Sequence, residues 1–162
     1  MQRWQPLHLC WLLAALTIAA IAAAWLIEGL GYKPCPLCLY QRYPYYLAIA
    51  VLLLAAVFGR PRLGLALACA LFLIDAGLAL YHSGIELGMV ALPASCTVIS
   101  RAQSLAELRA QLLSAVPSCD QPALRILGLS LANWNALFAL GLAVLAALGL
   151  RGERKAHMPL AA

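Results

Sequence analysis

Two cysteines with two residues between them, Cys35 and Cys38, form the pattern in this sequence with the clearest chemical meaning. Thiols at this spacing can close a short disulfide ring or share a metal ion. Pro36 favours a helix start, which places Cys38 in the first turn, where the helix dipole favours a thiolate. Arg42 follows at i+4 from Cys38 and so lies on the same helical face. The pattern indicates two-electron thiol chemistry beside a cation, with an ordinary loop-capping disulfide as the alternative.

The remaining cysteines divide into two groups. The chain has six cysteines, and Cys10 and Cys69 lie inside apolar runs, where a free cysteine behaves as a small hydrophobic residue. The other four allow three pairings, among which the residues alone do not choose. A zinc site built from all four is disfavoured because one pair is widely spaced, so no metal is expected. The four candidate catalytic residues are Cys35, Cys38, Cys96 and Cys119.

The composition indicates a membrane protein. The chain has 162 residues, of which 65% are hydrophobic and 10% charged, and its mean hydropathy is +0.89. A soluble domain of this size does not bury so much apolar surface. Four apolar runs, at about 9–27, 37–58, 63–81 and 131–150, are long enough to cross a bilayer. We predict an all-α membrane protein with one domain over residues 1–162, a four-transmembrane-helix bundle with loops at 28–36 and 82–130.

The first run has a second interpretation. The stretch Ala20-Ile21-Ala22 resembles a small-residue signal-peptide cleavage site. The apolar run continues past them, and the other hydrophobic segments need a packing partner, so a retained helix is favoured.

The distribution of positive charge predicts the orientation of the bundle. The formal charge of +5 does not indicate nucleic acid, because the excess lies beside the apolar runs. Arg60 and Arg62 crowd one tight turn, and further cations follow the fourth run. By the positive-inside rule both termini are cytoplasmic and the cysteine loops are outside. Disulfides persist outside the bacterial cytoplasm, which agrees with this orientation.

A short amphipathic helix is predicted in the second outer loop. Ser104 and Glu107 form a capping-box pattern. Leucines and a valine then recur at helical spacing up to Val116. We expect a helix on the membrane surface between Cys96 and Cys119, although packing on the bundle without a chemical role fits the pattern equally well.

The motif Cys-x-Leu-Cys-x-x-Gln-Arg at 35–42, the four apolar runs and the two cysteines of the second outer loop together resemble the DsbB family of bacterial inner-membrane proteins for disulfide formation. The segment 119–135 is also similar to that family's entry into its fourth helix. The resemblance covers the chain from Leu9 to Leu150. The family usually has aromatic residues where Leu124 and Ile126 stand here.

This resemblance implies a thiol:quinone oxidoreductase that uses ubiquinone or menaquinone. It implies that Cys35 and Cys38 form the quinone-linked disulfide, and that Arg42 lies near the quinone. It also implies that a second disulfide, Cys96–Cys119, is presented to DsbA, a soluble periplasmic dithiol oxidase. The expected partners are therefore a DsbA-like oxidase, the membrane quinone pool and the lipid bilayer, and the expected location is the bacterial inner membrane.

Two further polar residues lie at the boundary or inside the apolar runs. His82, at the outer end of the third run, can donate to a quinone oxygen or can be a solvated loop residue. Asp75 lies inside that run at a depth similar to that of Arg42, so an ion pair is possible. A protonated carboxyl group hydrogen-bonded within the bundle is the interpretation we favour.

Two other functional classes compete with this interpretation. A vitamin-K-epoxide-reductase-like membrane oxidoreductase has related chemistry, but there the quinone-facing Cys-x-x-Cys is expected late in the chain. A non-enzymatic membrane scaffold would use its cysteines only as structural cross-links.

Overall fold

The computed structural model describes residues 4–93, 96, 104–106, 109 and 117–156. Four helical segments are long and apolar enough to cross a membrane, which confirms the predicted four-helix bundle. Two very short strands accompany them. The elements are α1 (Trp4–Gly29), α2 (Pro36–Tyr40), α3 (Arg42–Val57), α4 (Pro61–Glu86), β1 (Arg125–Ile126), β2 (Leu129–Ser130) and α5 (Leu131–Ala156).

The bundle core is formed by buried side chains of α1, α3, α4 and α5. Helix α4 packs against both α3 and α5, and α1 packs mainly against α3. Small alanines let the helices approach closely, and larger side chains fill the space between them. Many leucines on the outer helix faces are exposed, as expected for surfaces that contact lipid. The largest apolar side chains that are fully buried among the described residues are Leu13, Leu52, Leu65, Phe72 and Leu142.

The second apolar run is divided into two helices at Gln41. Pro44 has no backbone N–H, so the carbonyl of Tyr40 loses the partner that a continuous helix would provide. The chain turns at Gln41, whose N–H still bonds to the carbonyl of Leu37 at 3.1 Å. The interruption leaves the Gln41 side chain buried, facing the bundle interior instead of lipid.

Helix α4 extends beyond the run from which it was predicted. Hydropathy falls after Tyr81, where the predicted loop 82–130 begins, yet the helix continues to Glu86. His82, Ser83 and Ile85 are buried there. The cysteine-bearing loop segments cover this last turn and a half, so the helix needs no lipid-facing apolar residues at this end.

A small hairpin leads into α5. Strands β1 and β2 pair antiparallel, with Arg125 opposite Ser130. Leu127 and Gly128 form the turn with φ values of 53° and 82°. This conformation normally favours Asn-Gly, so the Leu-Gly pair gave no turn signal in the sequence. The Ser130 hydroxyl accepts the N–H of Asn133 at 3.2 Å and caps α5.

The predicted interfacial helix falls mostly outside the described part of the chain. Within it, the structure describes only residues 104–106 and 109. The surface helix therefore stays a prediction.

Candidate active site

Cys35 occupies the N-cap position of α2. Its backbone is extended, with φ −74° and ψ 166°, and Pro36 opens the helix. The backbone N–H of Cys38 donates to Cys35 Sγ at 3.2 Å. The helix N-terminus therefore stabilises negative charge on Cys35. The sequence placed this effect on Cys38, because a proline start does not reveal which cysteine becomes the cap.

The two thiols of the motif lie side by side. Their Sγ atoms are 2.7 Å apart, and His82 Nε2 lies 3.6 Å from Cys35 Sγ. The hydrogen bond from Cys38 lowers the pKa of the Cys35 thiol most, to about 5, although burial opposes the shift. The His82 ring and the Cys38 N–H lower that pKa further. Cys35 is therefore the thiol of this pair that carries charge most readily in the reduced protein.

The other two outer cysteines form a disulfide. Cys96 and Cys119 are bonded, with their Cα atoms 5.4 Å apart, which is the pairing that the family resemblance implies. Both residues are buried in one apolar cluster with Cys35, and Cys38 packs against that cluster. The structure therefore brings all four candidate catalytic cysteines into one cluster at one end of the bundle.

His82 is 2% exposed and lies between the cysteine segments and the bundle. Besides Cys35, its ring contacts Gln41, whose Nε2 is 3.4 Å from Nδ1, and the main chain of Cys119. Glu86 Oε1 lies 3.8 Å from Nε2. His82 is therefore part of the thiol site and not a solvated loop residue.

A buried polar network continues from His82 into the bundle. Gln41 Oε1 accepts from Asn135 Nδ2 at 3.4 Å, and the same Nδ2 donates to Asp75 Oδ2 at 2.9 Å. The hydroxyl of Tyr45 donates to Asn135 Oδ1 at 2.7 Å. A row of polar groups thus connects the thiol site with the intramembrane carboxyl group.

The possible ion pair between Asp75 and Arg42 is not formed. Arg42 Nη1 bonds instead to Glu28 Oε2 at 2.9 Å, and Asp75 bonds within the bundle as the favoured interpretation requires. Asp75 Oδ1 has no hydrogen-bond partner among the described residues. The protonation of Asp75 stays a prediction.

A cavity of about 530 Å³ lies beside Arg42 between α1 and the start of α3. Its size is in the range of small-molecule sites. Trp25 Nε1 donates to the Tyr46 hydroxyl at 3.3 Å and braces one wall. His82 is not among the lining residues, so the structure does not bring it together with Arg42. The cavity is lined by Trp25, Glu28, Leu39, Arg42, Tyr43 and Tyr46.

The thiols and the imidazole of this site are also potential metal ligands. Ligand atoms of Cys35, Cys38 and His82 lie within 4.8 Å of one another, close enough for one soft metal ion when both thiols are reduced. The Cys96–Cys119 bond removes the other two cysteines, so a four-cysteine zinc site does not form in this state.

Sequence reasoning missed three residues of the site. Gln41 belongs to the motif, but its inward direction depends on the break before Pro44. Glu28 lies near the end of α1, and only its proximity to the cavity in three dimensions identifies it. Asn135 lies in an apolar run whose pattern is that of an ordinary helix. Its own polar side chain was the one signal for it in the sequence.

A membrane bundle with two adjacent cysteine pairs, one of them a disulfide, defines a class of membrane thiol–disulfide protein. The family model described as "Disulfide bond formation protein DsbB" matches residues 5–149. The chain therefore belongs to the DsbB family and is a disulfide-forming membrane oxidoreductase.

The chain is similar to two curated relatives, one of which is named for disulfide bond formation. An uncharacterized protein of Rickettsia prowazekii (strain Madrid E) is 33% identical over 91% of this chain and 87% of its own length. The disulfide bond formation protein B of Marinobacter nauticus is 31% identical over 73% of this chain and 76% of its own length. No solved structure matches significantly.

Proposed function

We propose that this protein is an inner-membrane thiol:quinone oxidoreductase that reoxidises a periplasmic DsbA-type dithiol oxidase. Family membership supports disulfide formation. The observation that carries the proposal is the single buried cluster that holds Cys35, Cys96 and Cys119, with Cys38 packed against it. Neighbouring pairs can exchange disulfide bonds, and the cavity beside Arg42, which Leu39 lines next to Cys38 in sequence, supports a membrane-soluble acceptor for the inner pair.

The exchange begins at the outer disulfide. A thiolate of the reduced partner attacks Cys96, forms a mixed disulfide and releases Cys119 as a thiolate. Cys119 then attacks Cys35, so the Cys35–Cys38 bond breaks and its electron pair remains on Cys38. The second partner thiolate attacks the partner sulfur of the mixed disulfide and releases Cys96, which completes the oxidation of the partner.

The last exchange restores the outer pair. Cys96 attacks Cys119, the Cys96–Cys119 bond forms again, and Cys35 leaves as a thiolate. The two electrons taken from the partner now reside on the reduced Cys35–Cys38 pair. A low pKa of the Cys35 thiol favours this step, since a more acidic thiol is a better leaving group.

The residues of the cavity fit a quinone head group. Trp25, Tyr43 and Tyr46 provide aromatic walls, and the Arg42 guanidinium provides a cation for a carbonyl oxygen. Leu39 lines the same cavity one residue after Cys38, so the inner thiol pair and the cavity share one short segment. A bound quinone supplies a two-electron, two-proton acceptor. Ubiquinone and menaquinone share this chemistry, and the cavity is compatible with either.

The location is proposed from the charge distribution. Arg60 and Arg62 lie at the end of the bundle away from the cluster of Cys35, Cys38, Cys96 and Cys119, which supports cytoplasmic termini and periplasmic cysteine loops. In that orientation the Cys96–Cys119 disulfide lies in an oxidising compartment, where a DsbA-type partner can reach it.

Reduction of ubiquinone or menaquinone by the purified chain, with a dithiol protein of the DsbA type as electron donor, tests the proposal. We expect turnover, and we expect Cys38→Ala to abolish it. The variant with Cys10→Ala and Cys69→Ala is the matched control, because both residues lie in the transmembrane helices away from the cysteine cluster. A wild-type protein that folds but reduces neither quinone would favour a scaffold whose disulfides are structural.

A further inference from the structure

A chain of hydrogen bonds leads from Asp75 towards the sulfur of Cys35, and each bond restricts the next. Asn135 Nδ2 donates to Asp75 Oδ2 at 2.9 Å. The hydroxyl of Tyr45 donates to Asn135 Oδ1 at 2.7 Å. An amide oxygen accepts and an amide nitrogen donates, so both contacts fit the same orientation of the Asn135 side chain.

The orientation of Asn135 determines that of Gln41. Asn135 Nδ2 also donates to Gln41 Oε1 at 3.4 Å. The Gln41 oxygen is therefore turned towards Asn135, and its Nε2 faces His82 Nδ1 at 3.4 Å. Since an amide nitrogen can only donate, His82 Nδ1 must accept and carries no proton. A neutral imidazole then carries its proton on Nε2.

That proton points to the redox thiol. His82 Nε2 lies 3.6 Å from Cys35 Sγ and 3.8 Å from Glu86 Oε1. The main chain of Cys119 also contacts the ring. Glu86 accepts hydrogen bonds when ionised, so it favours the same protonated Nε2. The contacts of Nδ1 with Gln41 and of Nε2 with Cys35 and Glu86 are all compatible with one tautomer.

We propose that Asp75, Asn135 and Gln41 are positioning residues that hold His82 in the tautomer protonated at Nε2, so that the imidazole donates to the Cys35 sulfur. The proposal rests on the exchange between the two cysteine pairs in the proposed function, and not on the identity of the quinone or of the soluble partner. It assigns a role to the intramembrane carboxyl group, which otherwise lies away from the chemistry.

The hydrogen bond acts when Cys35 is the leaving group. Attack of Cys96 on Cys119 forms the Cys96–Cys119 bond and breaks the Cys35–Cys119 bond, and the electron pair remains on Cys35. An Nε2–H donor stabilises that thiolate, whereas an unprotonated Nε2 would present a lone pair to it and oppose its departure.

Nitrogen NMR of the reduced full-length chain in detergent, with ¹⁵N-labelled histidine rings, tests the tautomer directly. Protonated and unprotonated ring nitrogens have well-separated shifts, and a His82→Gln sample identifies the signals of His82. We expect Nε2 protonated and Nδ1 unprotonated at mildly alkaline pH. In Gln41→Glu the carboxylate can only accept, so Nδ1 should become protonated. A protonated Nδ1 in the wild type, or an unchanged spectrum in Gln41→Glu, would overturn the proposal.

A titration of the Cys35 thiolate measures the effect on the thiol. In Asn135→Leu the Gln41 amide loses the partner that orients it. At a pH below the titration midpoint, we expect the ratio of Cys35 thiolate to thiol to fall by about two- to tenfold, as for loss of one hydrogen bond. Ser83→Ala is the matched control, because this buried neighbour bonds only to the carbonyl of Ala79 among the described contacts. Equal titration midpoints in wild type, Asn135→Leu and Ser83→Ala would contradict the proposal. If Asn135→Leu does not fold, the wild-type nitrogen spectrum still decides.

Discussion

At the scale of single residues, position along one helical turn separates the roles of two chemically identical thiols. Cys35 is the N-cap and accepts the N–H of Cys38, and it also faces His82. Cys38 lies one turn further and is adjacent in sequence to Leu39, which lines the cavity. This difference supports the proposal that Cys35 exchanges with the outer pair and that Cys38 faces an acceptor in the membrane.

Removing the Cys38 thiol should raise the pKa of Cys35. The hydrogen bond from Cys38 is the largest cause of the lowered value of about 5, and a bond to a charged group is worth about 1.5–3 kcal/mol, or about one to two pH units. When Cys38→Ala is acidified, the Cys35 thiolate should therefore be protonated at a higher pH than in the wild type. The ultraviolet absorbance of the thiolate, followed against pH, gives the midpoint.

Cys38→Ser provides the control for that titration, since a hydroxyl retains a donor at the same place. We expect its midpoint to lie between those of wild type and Cys38→Ala. A Cys38→Ala midpoint equal to that of the wild type would show that the cap N–H and His82 alone lower the pKa.

Arg42 should affect the quinone more than the thiol exchange. Its guanidinium lines the cavity and is held by Glu28, and it makes no described contact with the cysteine cluster. Arg42→His should raise the quinone KM by about tenfold or more, as for a lost charge-assisted hydrogen bond. Arg42→Lys should lose less because it keeps the charge. Steady-state quinone reduction measures this effect.

A single-turnover assay of partner oxidation separates the two roles of Arg42. This assay should give nearly wild-type rates for Arg42→His. If partner oxidation slows while the quinone dependence is unchanged, Arg42 belongs to the exchange site.

At the scale of the helices, the close approach of α3 and α4 depends on Gly64. A Cβ at this position would overlap the Cβ of Ala55 on the facing helix. Gly64→Ala should therefore destabilise the bundle by about 1–3 kcal/mol, the usual cost of overpacking. Thermal unfolding in detergent should show a lower Tm. Adding Ala55→Gly should restore part of the loss.

Gly77→Ala on the same helix is the control for this packing prediction. A Cβ added at Gly77 would have no described neighbour within 4 Å, and alanine favours helix more than glycine does. Its Tm should be equal to or above that of the wild type. A Gly64→Ala variant as stable as Gly77→Ala would show that the two helices can separate without cost.

Helix ends were the part of the architecture that the sequence predicted least well. Apolar runs indicated four spans because a lipid-facing helix must be hydrophobic over about 20 residues. The same signal fails where protein covers the helix: α4 continues through His82 to Glu86 under the cysteine segments. The break at Gln41 was equally hidden, since Pro44 acts on a carbonyl four residues earlier.

At the scale of the whole molecule, the site combines elements that are far apart in the chain. The cysteine types and spacing predicted the chemistry, because a motif carries it locally. The network of Gln41, Asn135 and Asp75 joins the break before α3 to α4 and α5, and hydrophobic periodicity does not show which polar residues of different segments meet. The Arg42–Glu28 ion pair was missed for the same reason. The possible Asp75–Arg42 ion pair was inferred only from the similar depth of the two residues in the membrane.

The orientation of the bundle is the prediction on which the proposed partner depends. A reporter that is active only in the periplasm should be active when fused after Arg101 and silent when fused after Arg62. The physical reason is the arginine turn, which resists transfer across the membrane. Replacing Arg60 and Arg62 by Gln should weaken this contrast, while replacing Arg125, on the cysteine side, should not. The reverse pattern of activity would place the Cys96–Cys119 disulfide in a reducing compartment. It would then overturn the periplasmic partner and leave membership of the DsbB family untouched.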